Sequence, residues 1–351
     1  MKVLKRLIIW TLLPIILEFI GLFFIDKVYI KDQEIFNIKK IDISAEKSPT
    51  KIKVKVPEDA EDIKVSYNGS YISYNEDGTI YVVNTDTNDK KEVDVDSDSS
   101  LSYYRWDLES DVILMAEKFS RAGSSYLKFV AYDAKRDTSE ERKNGQEPLE
   151  ILLPNSNYEV KNIAFSGASN VTYVTSGEDG EVGRIYRIDR MTVLSKIDFG
   201  GIRLGDKIAA INNQDGDQIV YEDRSTNRIR IGRSGSVIAT GENGMHYLLG
   251  TDNDEQVYIG NGENNEINKI FVINLSDDTS NRKIYTLSQP VNKKNIYISR
   301  DGNIYINNSS ENTITEVKSK KSIEYEGEFL GIYNYGVISR DGNKVVGTLF
   351  D

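Results

Sequence analysis

His246 is the only histidine in the chain, and cysteine is absent. A Cys/His zinc site and a Cys–His nucleophile pair are therefore excluded. A Ser-His-Asp triad would have to use His246, beside Gly244 and Tyr247. No G-x-S-x-G elbow occurs, however, and Gly232-Arg233-Ser234-Gly235-Ser236 lacks the final glycine. His246 reads as an ordinary structural or surface residue. Asp and Glu number 55, so close carboxylate pairs of the kind that hydrolyse glycosides arise by chance and mark no site. Asp94, Asp96 and Asp98 alternate like the start of a calcium loop. Ser99 stands where that loop needs glycine, and Arg105 where it needs glutamate. These residues read as a solvated turn, and so do Asp252-Asn253-Asp254-Glu255. No catalytic, cofactor-binding or metal-binding residue is assigned.

Two other groups of residues could carry recognition. Tyr103-Tyr104-Arg105-Trp106 is the densest aromatic cluster, and strand alternation places Tyr104 and Trp106 on one face. They are candidate binding aromatics for a sugar ring or a protein partner; packing inside a β core is the plainer use of them. The second group is Thr11, Pro14, Glu18 and Gly21, at spacings of three, four and three. On a helix this heptad stripe gathers the small, kinked and ionisable positions on one side, leaving Leu, Ile and Phe on the other. Such a face suits a partner helix within a membrane, where small residues permit close approach and a carboxylate faces protein or water. A plain anchor whose Glu18 is protonated or reaches toward the surface is the alternative.

The elements that hold these groups follow from hydropathy. Residues 7–25 carry only Glu18 as a charge. As a helix they would rise roughly 28 Å, close to the ~30 Å hydrocarbon core. The run is long for a signal peptide and no small-residue cleavage site follows it, so an uncleaved single-pass anchor is expected behind a tail at 1–6. Basic residues on its two sides nearly balance; the short tail is placed in the cytoplasm and the remainder outside the cell membrane. The first 25 residues carry Lys2, Lys5 and Arg6 against Glu18, so the net −11 of the chain becomes −13 for the rest. An acidic surface repels phosphate polymers, so nucleic acid is not an expected partner.

Beyond the anchor the pattern is β. Residues 26–61 form a linker with closing strands, and 62–351 a β-propeller. Within 62–93 four short alternating runs are separated by turn signals, Asn68-Gly69 and Asp77-Gly78 among them. Similar groups of four fill 101–153, 158–198, 206–240, 246–288 and 295–326, and about three more strands lie in 329–350. A strand from 35–56 is expected to complete that last group. The architecture is thus all-β, about seven four-stranded blades with six as the alternative. Residues 135–147 contain no apolar side chain and read as a solvated, mobile loop. The pentapeptide Ser-Arg-Asp-Gly-Asn stands at 299–303 and again at 339–343, which reads as one hairpin recurring at a forty-residue period.

These two turns, with Ser73-Tyr74-Asn75-Glu76-Asp77-Gly78-Thr79, resemble the S-x-D-G-x turns of TolB-like propellers, and the propeller of dipeptidyl peptidases is similar. The likeness extends over 62–351 in period and is clear in three blades. It implies architecture and no peptidase chemistry, which those enzymes carry on an added hydrolase domain. The function expected is a non-catalytic, membrane-anchored extracytoplasmic propeller serving as accessory or scaffold subunit of a bacterial envelope complex, in glycan synthesis, secretion or signalling. A membrane protein would be bound through the anchor, and a protein or glycan through the propeller. The alternative is an anchored glycan-binding module or a propeller glycosidase or lyase at the cell surface.

Overall fold

Seven antiparallel sheets of the unit Pro49–Asp351 stand around a ring, each beginning with a strand on the inside. The computed structural model describes residues 52–350 apart from 168, 179–182, 200–202, 214–215 and 276–281, together with Glu18. The seven first strands are Glu61–Val65, Ser99–Trp106, Glu159–Phe165, Leu204–Asn213, Met245–Thr251, Ile296–Ile298 and Glu328–Tyr333. Those of consecutive blades one to six lie against each other, and the seventh lies against the first. The chain is a seven-bladed β-propeller. Thr11, Pro14 and Gly21 lie outside the described residues, as does the part of the 35–56 stretch before Ile52.

Alternation explains the packing. Successive strand residues face the two neighbouring blades, so both faces of each sheet must be apolar except at the outer edge. Seven buried apolar clusters result, one at each interface between blades. The last interface is closed by the chain's two ends: Lys53–Lys55 pairs antiparallel with Lys344–Leu349, Val54 opposite Val345. Ile52, Val54 and Val56 are buried there beside Ile72, Val83 and Ile338. Lys53 and Lys55 point outward from the free edge, where charge discourages pairing with a second molecule.

Two readings are corrected. The stretch 135–147 is built, not loose: Thr138–Glu141 pairs with the end of Ser124–Asp133, and Lys143–Asn144 pairs with Glu147–Pro148. These strands are mostly exposed and bind through backbone groups, so they need no apolar signal. The second correction concerns the repeated pentapeptide. Residues 299–303 join the first and second strands of blade six. Residues 339–343 join the second and third strands of blade seven. The two copies occupy non-equivalent turns. Their backbones also differ from that of Asp77-Gly78, where both residues have positive φ, 51° and 85°; in the two copies only the glycines do, Gly302 at 79° and Gly342 at 59°.

The arginines of the two copies consequently do different work. Arg340 donates to the carbonyls of Pro57, Glu58 and Ala60 at 2.9, 2.7 and 2.9 Å, clamping the segment between the closing strand and blade one. Arg300 reaches Glu109, in the first turn of blade two, at 2.8 Å. Arg340→Ala is expected to cost about 2 kcal/mol, because three backbone acceptors lose a charged donor. Arg300→Ala should cost less than about 1 kcal/mol, because Glu109 stays solvated. Urea unfolding of both variants checks this, and equal losses would contradict the assignment.

Candidate functional site

The first strand of blade two builds one wall of the central channel. Tyr104 and Trp106 turn into the interface with blade one and are 1% and 5% exposed. The Tyr104 hydroxyl donates to the Asp62 carbonyl, and Trp106 Nε1 donates to Ser73 Oγ at 2.8 Å. Burial pushes the Tyr104 hydroxyl far above its ordinary range. Both aromatics named from sequence are thus core side chains with satisfied polar atoms, although Trp106 also borders a cavity. Tyr103 and Arg105 take the opposite face of the strand.

That cavity, about 330 Å³, opens at the end of the ring where first strands turn into second strands. Lys64, Arg105 and Arg300 border it, with Tyr67, Tyr103 and Tyr333. Lys64 Nζ donates to Asp62 Oδ2 at 2.6 Å and to the Tyr104 carbonyl at 2.8 Å. It also lies 3.8 Å from the ring centre of Tyr104 and 4.9 Å from that of Tyr103. Arg105 donates to the Ile163 carbonyl and to Asn162 Oδ1. Burial lowers the pKa of both cations; Asp62 opposes this for Lys64, and Arg105 adds to it. A neighbouring cavity of about 180 Å³ shares Leu108 and Arg300 and brings in Glu109, Asp252 and Glu255.

The carboxylates and histidine considered from sequence serve the ring itself. Asp252 accepts from the backbone of Asp254 and Gln256 and from the Tyr258 hydroxyl. Asp96 pairs with Lys128 at 2.6 Å. His246 is 5% exposed. Its Nδ1 lies 2.8 Å from the Arg228 guanidinium and 3.2 Å from the Gly244 carbonyl, and its Nε2 lies 2.6 Å from Thr240 Oγ1. Among the described residues no group of three His, Cys, Asp or Glu is placed to hold a metal ion.

Burial, and next Arg228, hold the imidazole of His246 below its ordinary 6.5. The folded ring keeps it neutral where the unfolded chain takes up a proton. This contribution to stability is complete above about pH 6.5 and is lost as pH falls from there through the depressed folded value. Between about pH 7 and about pH 5 the urea midpoint of the wild type should therefore fall more steeply than that of His246→Gln. Parallel slopes would remove His246 from the titration.

The cations Lys64 and Arg300 were not singled out by sequence reading. Arg105 stood inside the aromatic cluster without a role. The available signal was the contrast between an acidic chain and cations on or beside the first strands.

The architecture defines the class, a seven-bladed propeller with Lys64, Arg105 and Arg300 at its channel mouth. No family model matches the chain, and no curated protein does. Among solved structures it is similar to the β-propeller domain of Cps50 (Swd1) from Myceliophteria thermophila, at 12% identity over 85% of this chain and 97% of that one, with a TM-score of 0.51. It is also similar to Porphyromonas gingivalis dipeptidyl peptidase 4, at 12% identity and a TM-score of 0.45. That match covers 76% of this chain and 45% of the peptidase, so the chain spans less than half of that protein. A chain of a nidogen/laminin complex matches at 11% identity over 72% of this chain and 92% of its own length, with a TM-score of 0.40. At these identities the likeness is one of fold alone.

Proposed function

We propose that the chain is a membrane-anchored, non-catalytic propeller of TolB-like type, an accessory or scaffold subunit of a bacterial envelope membrane complex. Residues 7–25 are its single-pass anchor, with the ring outside the cell membrane. The stripe Thr11, Pro14, Glu18 and Gly21 meets a helix of a partner subunit, and the ring binds protein. One observation carries the scaffold reading: the groups best suited to chemistry are spent on holding the ring. His246 is tied at both nitrogens, Asp252 is filled by three donors, and Arg340 clamps the closure.

The anchor rests on the sequence. Apart from Glu18 its residues lie outside those described, among which no helix is long and apolar enough to cross a membrane. Purification of the full chain in mild detergent, followed by mass spectrometry, tests the proposal. A stoichiometric membrane protein should co-purify; recovery of the chain alone, without detergent, would sink it. A glycan-binding module, or a glycoside-active enzyme, is the second reading, favoured by the aromatic rings of Tyr67 and Tyr103 at the channel mouth. Retention of the chain on cell-wall polysaccharide with no membrane partner would select it.

A further inference from the structure

We propose that the channel mouth binds one small organic carboxylate, its charged group on Arg105 and Lys64 and its body against Tyr103 and the apolar walls. The site lies within the unit Pro49–Asp351, and a ligand there goes beyond a scaffold role. Residues 26–351 carry a net −13, yet three cations, Lys64, Arg105 and Arg300, border this one cavity. Asp107 is the only carboxylate among the described residues that lines it, and it already accepts from Ser110 Oγ at 2.5 Å.

The decisive residue is Arg105. Lys64 has Asp62 and Arg300 has Glu109 as ion-pair partners. The partners of Arg105 are neutral, a backbone carbonyl and an amide oxygen, both reached through Nη1. Arg105 is half-buried, and a cation withdrawn from water is costly unless an anion or a full set of acceptors compensates it. The remaining guanidinium donors form a planar fork that matches a carboxylate. Among the described residues no carboxylate lies within hydrogen-bond distance of that fork, and a single carboxylate has the shape to fill it.

A second observation points the same way. Tyr333 is among the residues that border this cavity, and its hydroxyl is buried with no hydrogen-bond partner among the described residues. Burial pushes its pKa up to about 12, so it remains a donor and suits an anionic acceptor. Leu330 and Ile332 supply apolar wall. A volume of about 330 Å³ lies at the small end of ligand sites, which sets the ligand near the size of a monosaccharide.

Ligand-observed NMR titration of the full chain tests this with three carboxylates, glucuronate, glutarate and benzoate, and with glucose and inorganic phosphate as counter-probes. At least one carboxylate should bind, with glucose and phosphate weaker by about tenfold or more. Arg105→Gln and Lys64→Met should each weaken that carboxylate about tenfold. Lys64 is the safer variant, since its head group lies on ring faces and Asp62; an unchanged melting temperature certifies the comparison. Failure of all three carboxylates overturns the proposal, as does phosphate or glucose binding as tightly as the best acid. Unaltered affinity in a folded Lys64→Met overturns it too.

Discussion

Val54→Asp is expected to unfold the ring as a whole, although Val54 belongs to a strand of three residues. Its side chain is 1% exposed and packs with Ile52, Val56, Ile72, Val83, Ile338 and Val345. An unpaired carboxylate there costs about 3–5 kcal/mol, against a total stability of about 5–15 kcal/mol for a typical domain. The loss cannot stay local, because Lys53–Lys55 joins the two ends of the chain into one sheet. Opening it exposes the interface between blades seven and one. Circular dichroism should show a single transition shifted well down in temperature, or no folded state at all. Lys55→Ser, on the exposed face of the same strand, should change stability by less than about 0.5 kcal/mol. A wild-type melt for Val54→Asp would mean that the ring holds without its closing strand.

The blade count was legible because each blade writes its own local signals. Alternating runs around Asn68-Gly69 and Asp77-Gly78 foretell strands and turns from neighbouring residues alone, and these appear at Tyr71–Glu76 and Thr79–Asn84. Ring closure was legible too: Ile52, Val54 and Val56 alternate with polar residues, and the last blade lacked a strand. The place of a turn within its blade was not legible. The same five residues at 299–303 and 339–343 satisfy a hairpin between any two strands, so identical sequence says nothing about which pair it joins. Nor were the strands within 135–147, since an exposed edge pairs through backbone and shows no apolar period.

The channel mouth was the least legible part, for a geometric reason. Arg105 finds Asn162 and Ile163 in the next blade, and Arg300 finds Glu109 at a separation of 191 residues. A propeller brings the first strands of all its blades together, so the charge of its channel is set by side chains spread along the chain. Local spacing carries no trace of that convergence. The converse holds for Tyr104 and Trp106, whose density in sequence allowed a binding face beside the plainer use in core packing. Such density reflects an interface between blades as readily as a ligand, and here both rings lie in the core.

Glu18→Leu is expected to leave the protein in the membrane and to strip it of its co-purifying partner. The substitution removes the one charged side chain of residues 7–25, which favours insertion by roughly 3 kcal/mol. A passive tether would therefore be produced and localised at least as well as the wild type, with any partner retained through the ring. A stripe that packs on a neighbouring helix behaves differently. Thr11, Pro14 and Gly21 allow close approach, and the carboxyl of Glu18 finds its hydrogen-bond partner on the other helix. Leucine at that position both removes the bond and adds bulk to the contact face. Ile16→Leu, which falls on the side of such a helix opposite the stripe, conserves size and polarity and should change neither insertion nor association. Quantitative mass spectrometry of the three detergent extracts separates the cases. Loss of the partner in Glu18→Leu alone assigns the contact to the stripe, whereas equal recovery in all three reduces residues 7–25 to a tether and shifts partner binding to the propeller.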